Sequence, residues 1–301
     1  MANPVAYFNG EWTPGDGLRL PVDDLGFVLG ATIVERMRTF QRQVFRLQDH
    51  LQRLRRSLEV VGWDAPRLVA EVGDALDGFL RRNAGLISAG DDWSLTAFIT
   101  PGRTPDAAQP TVCVFGLPLP FADWAYKFDA GVEVVIVDVR QVPDNCWPSE
   151  LKCRSRLHYY LADRQAAARA PGARALLLDQ DGFVGEATTA NVIAHFADRG
   201  LVTPPREKVL PGISQRALFE LADRLNLPHA ERDLTPAELA AADEVFLTST
   251  SVCVLPVVRI DGQPVGQGTP GPVFRRLLAA WGEHVGVDIA AQAARFAHRG
   301  A

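Results

Sequence analysis

The sequence predicts a mixed α/β protein built from two domains with a cleft between them. Its 301 residues are enough for two domains that each bury a core. Segments with helical spacing alternate along the chain with short apolar runs that are typical of strands. A Pro- and aromatic-rich stretch, residues 117–131, lies at the junction. We therefore expect a small N-terminal domain at residues 1–118, a linker at 119–131 and a larger C-terminal domain at 132–301.

The elements of the first domain follow from short patterns. VAYFNGEW with the turn TPGDG predicts a β-hairpin, and TIVERMRTFQRQVFRL predicts two strands around a short turn. Apolar residues recur with helical spacing in QDHLQRLRRSLEVVG. A second helix is predicted in PRLVAEVGDALDGFLRRNAG, because Pro66 stands near its start and Gly85 near its end. SLTAFITPG and PTVCVFGLPLP are predicted as strands.

Strands and helices alternate again in the second domain. VEVVIVDVR predicts a strand, and SRLHYYLADRQAAARAPG predicts a helix that ends at Pro171 and Gly172. ARALLLDQDGFVGEATTANVIAHF is typical of a strand, an Asp-Gly turn and a second strand. VLPGIS opens the predicted helix QRALFELADRLN, and ADEVFLTSTSVCVLPVVRIDGQPVG predicts strands around a turn of small residues. VFRRLLAAWGEHV is predicted to be the final helix.

Composition narrows the class of protein. The net charge of −5 argues against nucleic acid or an anionic membrane as the main partner. We see neither a signal-peptide pattern at the N-terminus nor an apolar stretch long enough to span a bilayer. The four cysteines show no C-x-x-C pairing, and the six histidines show no zinc-like spacing with them. We expect a cytoplasmic protein with reduced thiols and no structural metal.

Lysine usage singles out one residue. Of the 31 basic residues only three are lysines, Lys127, Lys152 and Lys208. A surface cation can be Lys or Arg, but an amine that must lose its proton cannot be replaced by a guanidinium, which stays charged. Lys152, in the segment SELKCRSRLHYY, is therefore a candidate nucleophile.

Three places in the sequence have the chemistry to bind a phosphate. Leu210 to Ser214 (LPGIS) precedes a helix, where Gly212 permits close approach and the first N–H groups point outward. The hydroxyl run from Thr248 to Ser251 can wrap an anion. Arg53 can bind a phosphate with two N–H groups. Taken singly, Ser214 can equally be a helix cap and the hydroxyl run a polar turn.

An acid completes the set. Glu186, in GFVGEATTANV, can pair with a protonated ring nitrogen, or it can be an exposed acid in a turn. A lysine that forms a Schiff base, a partner for a pyridine nitrogen and a phosphate site are together what pyridoxal 5′-phosphate requires. Their joint occurrence therefore predicts this cofactor.

The order of these residues resembles that of a known family. The matching segments are DDLGFVLGATIVERMR at residues 23–38, H-x-x-R-L at 50–54, Lys152 with Glu186 and then Asn191-Val192-Ile193, L-P-G-I-S at 210–214, and D-E-V-F-x-x-x-T at 243–250. From Tyr7 to Trp281 the sequence is similar to the class IV, or fold type IV, pyridoxal-phosphate enzymes. These comprise branched-chain aminotransferases, D-amino-acid aminotransferases and aminodeoxychorismate lyase.

The resemblance implies a fold and a role for each matched residue. It implies a small N-terminal α/β sandwich domain and a larger C-terminal pseudo-barrel domain, with the cofactor in the cleft. Lys152 would hold the cofactor as a Schiff base and act as the catalytic base, while Glu186 would keep the pyridine nitrogen protonated. The remaining cofactor-binding residues would be Arg53, Leu210, Gly212, Ile213, Ser214 and Thr250. The relatives are homodimers with shared active sites, and the same assembly is expected here.

The residues that would bind the substrate do not follow the motifs of the relatives. The D-amino-acid enzymes carry R-x-H after the strand SLTAFIT, where this chain has Pro101-Gly102-Arg103, and the lyase motif after that strand is also missing. Arg36 shares a strand face with Arg38, so it is our main candidate to bind the substrate carboxylate. The alternative is that these arginines make salt bridges across the subunit interface. Val34, Arg154 and Ser251 are the other predicted substrate-binding residues, and Arg156 is a weaker one.

Three functions remain open at this point. The first is an aminotransferase that moves an amino group from a branched-chain-like or D-amino acid to a 2-oxo acid. The second is a lyase of the aminodeoxychorismate type that uses the same cofactor. The third is an inactive scaffold, against which the intact Lys152 and Glu186 argue. The sequence decides neither the amino donor nor the preference for L- or D-substrates.

Overall fold

The chain forms two compact units in a computed structural model that describes residues 3–103 and 109–298. Unit 1 contains Met1–Leu119 and Glu150–Ser155, and unit 2 contains Pro120–Ser149 and Arg156–Arg299. The segment that carries Lys152 therefore groups with unit 1, although the chain on both sides of it belongs to unit 2. The domain and linker boundaries predicted above stay predictions.

Unit 1 is built on an antiparallel sheet of six strands within the described residues. These strands are β1 (Val5–Phe8), β2 (Glu11–Pro14), β3 (Ile33–Phe40), β4 (Gln43–Val44), β5 (Trp93–Thr100) and β6 (Thr111–Pro118). Their order in the sheet is β2-β1-β6-β5-β3-β4. The tight turn between β3 and β4 uses Gln41 and Arg42, both with positive φ (51° and 65°), as a two-residue hairpin requires.

Helices cover one face of this sheet. Unit 1 contains α1 (Leu25–Val28), α2 (Leu47–Val60) and α3 (Ala65–Arg82). Leu58 of α2 and Leu76 of α3 pack in one core with Ile33 and Met37 of β3. Because side chains alternate along a strand, this contact fixes which residues of β3 face the helices. Glu35, between Ile33 and Met37, also faces them.

Unit 2 is built on a mixed sheet of nine strands in the part of the chain that the structure describes. They are β7 (Val132–Ile136), β8 (Arg174–Leu178), β9 (Val184–Ala187), β10 (Asn191–Phe196), β11 (Gly200–Thr203), β12 (His229–Glu231), β13 (Glu244–Ser249), β14 (Cys253–Ile260) and β15 (Gln263–Pro264). Their order is β12-β11-β10-β13-β14-β7-β8-β9, with β15 paired to β14. Strand β10 pairs with β13 from Asn191 to His195 and with β11 from Ala194 to Phe196, so its first residues have a strand partner in β13.

The helices of unit 2 pack around this sheet. They are α4 (Lys127–Ala130), α5 (Leu157–Arg169), α6 (Ile213–Arg224), α7 (Pro236–Ala240), α8 (Pro272–Val285) and α9 (Ile289–Phe296). Ala162 and Ala166 of α5 pack in a small core with Val135 of β7 and Ala175 of β8. The small side chains bring α5 close to the strands. No helix in the described ranges has the length and apolar content needed to cross a membrane.

The predicted mixture of strands and helices is confirmed in both units, but three details were wrong. The first hairpin turns at Asn9-Gly10, and the predicted turn residues Gly15–Gly17 form a short 3-10 helix. The single strand predicted after the Asp-Gly turn is interrupted and forms β9 and β10. The predicted final helix, α8, is followed by α9, because left-handed Gly286 ends α8 and Asp288 caps α9.

Candidate cofactor and active site

The segment around Lys152 runs along β3 in unit 1. The Val34 N–H donates to the Lys152 carbonyl (3.0 Å), and the Arg154 N–H donates to the Thr32 carbonyl (2.9 Å). The Lys152 N–H donates to Ser57 Oγ of α2 at 3.1 Å. Both backbone polar groups of Lys152 are thus bonded within unit 1, which fixes the point from which its side chain extends.

Arg53 is held by a buried carboxylate. Its Nε and Nη2 atoms each donate to one oxygen of Glu35, both at 2.8 Å, which is the bidentate geometry of a strong ion pair. His50, one helical turn earlier on α2, contacts Glu35 Oε2 through Nδ1 at 2.8 Å. Glu35 and His50 are each 1% exposed and Arg53 is 9% exposed. Glu35 and His50 were not predicted as functional residues, although the spacing of H-x-x-R already placed His50 beside Arg53.

Burial and charge shift the pKa of both partners of Arg53. Burial raises the pKa of the Glu35 carboxyl, but the charge and hydrogen bonds of Arg53, with His50, outweigh it and hold that pKa well below its usual range. Burial lowers the pKa of His50, and the charges of Arg53 and Lys152 lower it further, against the opposing effect of Glu35. The result is an ionised Glu35 that fixes Arg53, beside a neutral His50.

The other face of β3 carries Val34, Arg36 and Arg38. Arg38 is 1% exposed; its Nε donates to the Thr39 carbonyl at 3.2 Å, and its guanidinium lies 3.8 Å from the centre of the Phe40 ring. Arg36 is exposed and stands opposite Thr96 of β5. Arg38 therefore belongs to the interior of unit 1, and Arg36 is the member of the pair whose head group reaches solvent.

Glu186 is buried on β9 in unit 2. It is 7% exposed, so the alternative of an exposed turn acid is wrong. Its Oε1 accepts a hydrogen bond from the Tyr159 hydroxyl, and its Oε2 accepts one from the Leu210 N–H at 3.3 Å. A buried carboxylate requires such donors.

Tyr159 is a polar partner that the sequence did not reveal as functional. An aromatic side chain on a helix is usually a core residue, so its type and position alone indicate no functional role. The structure places it in the first turn of α5, half-buried, with its hydroxyl on Glu186. Two features of the sequence could have indicated a functional role for Tyr159. It follows the lysine segment closely, and the buried residues of its helix are otherwise alanines.

The segment Leu210 to Ser214 enters α6. Gly212 occupies the N-cap position in an extended conformation and makes no side-chain capping bond, while Ile213 and Ser214 are the first two helical residues. The alternative that Ser214 is the helix cap is therefore wrong. Ile213 and Ser214 are 6% and 5% exposed. Backbone N–H groups at an uncapped helix N-terminus are suited to an anion.

The hydroxyl run lies between β13 and β14. Thr248, the fifth residue of β13, stands opposite Asn191 of β10 and is fully buried. Among the described residues its Oγ1 has no hydrogen-bond partner. Thr250 and Ser251 follow in the turn and are half-buried. The end of β13 thus runs beside β10, the strand that contacts the Leu210 segment.

The predicted site residues divide between the two units. Those in unit 1 are Val34, Arg36, Arg53, Lys152 and Arg154, and those in unit 2 are Glu186, Leu210, Gly212, Ile213, Ser214, Thr250 and Ser251. Direct hydrogen bonds join Lys152 to Val34 in the first set and Glu186 to Leu210 in the second. Their roles toward a cofactor or a substrate stay predictions.

A groove of about 770 Å³ in unit 1 lies away from these residues. It is lined by Tyr7 and Trp12 of the first hairpin and by residues of α3 that include Glu71 and Arg82. Within it, the Tyr7 hydroxyl donates to Glu71 at 2.8 Å and the Arg82 guanidinium lies over the Trp12 ring. None of the predicted site residues lines this groove. Within the described ranges, no group of three or more His, Cys, Asp or Glu side chains is arranged to hold a metal ion.

Comparison with known sequences identifies a family. The sequence profile of the family described as "Amino-transferase class IV" matches residues 32–260. D-alanine aminotransferase from Bacillus licheniformis is 29% identical over 286 residues, which cover 91% of this chain and 94% of that protein. Branched-chain-amino-acid aminotransferase from Salmonella typhimurium is 27% identical over 287 residues, which cover 91% of each. Branched-chain-amino-acid aminotransferase-like protein 2 from Arabidopsis thaliana is 30% identical, but this chain spans only 50% of its length.

Comparison with solved structures agrees on the fold. The Escherichia coli branched-chain amino acid aminotransferase matches with a TM-score of 0.81 at 24% identity and covers 93% of this chain and 94% of that one. A Thermotoga maritima structure titled as a putative branched-chain amino acid aminotransferase matches with a TM-score of 0.77 at 27% identity, covering 93% and 95%. The expected fold type IV is thereby confirmed.

Proposed function

Because this chain belongs to the class IV aminotransferase family, whose members use pyridoxal 5′-phosphate, we propose that it transfers amino groups from a branched-chain-like or D-amino acid to a 2-oxo acid. The observation that carries the proposal is the buried Glu186, which is bonded by Tyr159 and by the backbone of the segment that opens α6. It places an acid for a ring nitrogen next to a helix N-terminus that suits a phosphate.

The residues present fit this cofactor. Lys152 would bind it covalently, and the Glu186 carboxylate would accept a hydrogen bond from its protonated ring nitrogen. The phosphate would be held by Arg53, the uncapped N–H groups of Ile213 and Ser214, and the Thr250 hydroxyl. Leu210 would pack on the ring, and Gly212 has no side chain to obstruct the approach. The fit rests on three features of the structure: the bidentate contact of Glu35 with Arg53, the uncapped N-terminus of α6, and the buried Glu186 carboxylate that accepts two hydrogen bonds.

The mechanism assigns one task to each of these side chains. When bound, the cofactor supplies an electron sink for negative charge at the substrate Cα. Once the substrate amine has replaced it on the cofactor, the freed Lys152 Nζ would take the proton from that Cα and would return it to C4′ of the cofactor. This role requires an amine near its neutral form. Glu186 keeps the ring nitrogen protonated, and the Tyr159 hydroxyl orients the carboxylate. Arg53 is fixed by Glu35, so it needs no rearrangement to bind an anion.

The substrate carboxylate requires a cation, and Arg36 is our proposal for it. Arg36 is exposed on β3, the strand whose Val34 N–H donates to the Lys152 carbonyl. Arg36 lies two residues beyond Val34, which is about 7 Å along an extended strand. Val34, Arg154 and Ser251 would line the same substrate. Replacing Arg36 with Ala should raise the KM for every amino donor, and an unchanged KM would assign Arg36 to salt bridges at a subunit interface.

We further propose a homodimer in the cytoplasm. Exposed apolar side chains support the dimer: Val22, Phe27 and Leu29 in unit 1 are 80%, 70% and 68% exposed, and Leu157 on α5 is 70% exposed. The relatives described above are aminotransferases, so a lyase stays the second candidate without an observation in its favour. Release of pyruvate from an aminodeoxychorismate-type substrate, without an amino acceptor, would make it the first.

The decisive experiment is the visible absorption spectrum of the purified protein with L- and D-amino acids added one at a time. We expect a yellow band that bleaches with one donor and returns when a 2-oxo acid is added. Borohydride reduction followed by peptide mapping should then place the cofactor on Lys152, and the assignment is unambiguous because the chain has only three lysines. Lys152→Ala should abolish the band, whereas the control Lys127→Ala should retain it. A protein that stays colourless with added cofactor would contradict the proposal.

A further inference from the structure

Asn191 belongs to a sequence motif for which the function above has no use. It is the first residue of β10 and is 5% exposed. Its Nδ2 donates to the carbonyl of Leu210 at 2.8 Å. The N–H of the same Leu210 donates to Glu186 Oε2 at 3.3 Å. Leu210 therefore links Asn191 to Glu186 on β9.

The other end of the Asn191 amide packs against the start of α6. A Cβ added at Gly212 would lie 2.0 Å from Asn191 Oδ1, so the amide occupies the space that a side chain at the N-cap would need. The backbone of Gly212 (φ −71°, ψ 126°) is open to any residue. Glycine is required here because of Asn191 and not because of its own conformation.

A second tether holds α6 independently of Asn191. Gln215 Nε2, on the third residue of α6, donates to Thr203 Oγ1 at 2.7 Å, and Thr203 Oγ1 donates to the Val192 carbonyl at 2.8 Å. Loss of the Asn191 side chain should therefore leave α6 docked on β10 and β11. The change would be confined to the segment from Leu210 to Ser214.

We propose that Asn191 is a positioning residue that sets the N-terminal N–H groups of α6 for the cofactor phosphate. Its amide holds the Leu210 carbonyl on one side and limits the approach of Gly212 on the other, so the segment between them has one conformation. This inference rests on the proposed function, because it assigns the phosphate to Ile213 and Ser214. It differs from a role in catalysis, since Asn191 acts through the backbone of Leu210 and Gly212.

The test compares the binding of pyridoxal phosphate with that of pyridoxal, which lacks the phosphate, to the cofactor-free protein. For Asn191→Ala we expect pyridoxal phosphate to bind about tenfold more weakly, the effect of about one buried hydrogen bond, and pyridoxal to bind within about twofold of wild type. Asn83→Ala is the matched control. Asn83 is also a buried asparagine whose Nδ2 donates to backbone carbonyls, those of Val5 and Phe79, both at 2.9 Å in unit 1. It should leave both affinities unchanged.

Gly212→Ala retains the Asn191 side chain but places a Cβ against its amide, and it decides the matter if Asn191→Ala fails to fold. It should weaken pyridoxal phosphate binding by about tenfold or more in the wild-type background, and by less in the Asn191→Ala background, where the clash is absent. Two results would overturn the inference and leave the proposed function standing. One is an equal loss of affinity for pyridoxal phosphate and pyridoxal in Asn191→Ala. The other is a ratio of these two affinities in Gly212→Ala that equals the wild-type ratio. A wild-type protein that binds no pyridoxal phosphate would overturn the proposed function instead.

Discussion

At the scale of single residues, Glu35, His50 and Arg53 form a buried group that holds an ionised carboxylate inside unit 1. An ionised carboxylate with 1% exposure is stable only because Arg53 meets both of its oxygens and His50 meets one of them. Removing Glu35 or Arg53 would leave the charge of the other uncompensated, which costs about 3–5 kcal/mol. The group therefore both stabilises unit 1 and presents Arg53 in one orientation.

His50 gives this group a measurable pH dependence. Its pKa is lowered in the folded protein, so below about pH 6.5 the unfolded chain binds a proton that the folded chain does not. The stabilisation is present well above pH 6.5, begins to be lost near that value and continues to be lost as the pH falls toward the lowered pKa of folded His50. We expect the free energy of unfolding to fall from about pH 7.5 to about pH 5.5, by up to about 1.4 kcal/mol per pH unit from His50.

Urea unfolding of wild type and His50→Gln across this range checks the prediction. The free energy of unfolding of the variant should depend less steeply on pH, because the glutamine amide does not titrate. His158, whose pKa is lowered by burial and by Arg156, contributes with the same sign in both proteins. Identical slopes would mean that His50 is protonated in the folded state.

At the scale of elements, two glycines on α3 show how packing overrides helix propensity. Gly78 faces Trp12, and a Cβ there would lie 2.4 Å from the indole ring, whereas a Cβ at Gly73 would meet only Leu51 at 3.8 Å. Glycine inside a helix costs about 0.5–1 kcal/mol relative to alanine. Gly73→Ala should therefore raise the free energy of unfolding by about that amount, and Gly78→Ala should lower it by about 1–3 kcal/mol. Urea unfolding of the two variants provides the measurement, and stabilisation by both would show that Trp12 moves freely.

The elements that were predicted correctly have a local sequence pattern, and the elements that were missed do not. Helices α2 and α3 have regular apolar spacing, and each was predicted within a few residues. The break between β9 and β10 has no such signal, because it depends on backbone hydrogen bonds between Ala187 and Ala190. Helix α9 was missed because α8 already satisfied the pattern of a terminal helix.

At the scale of the whole molecule, the proposed homodimer would cover exposed apolar residues of unit 1. Phe27, in α1, is 70% exposed. Phe27→Asp would place a charge in the proposed dimer interface, so we expect it to shift the protein toward monomer in sedimentation equilibrium. Leu86→Asp is the control, because Leu86 is an apolar residue of unit 1 outside α1 and is 38% exposed. A wild-type monomer, or a dimer unaffected by Phe27→Asp, would remove this surface from consideration.

The sequence by itself determined the fold class, the family and the identity of the candidate lysine, acid and phosphate segment. These depend on order and spacing along the chain, such as Lys152 with Glu186 or L-P-G-I-S before a helix, which a sequence carries directly. Only the tertiary structure decided what those residues touch. It paired Arg53 with Glu35, Tyr159 with Glu186 and Asn191 with Leu210, which are 18, 27 and 19 residues apart. Such contacts depend on strand register and helix docking, and a polar side chain shows no preference for a distant partner until both are buried together.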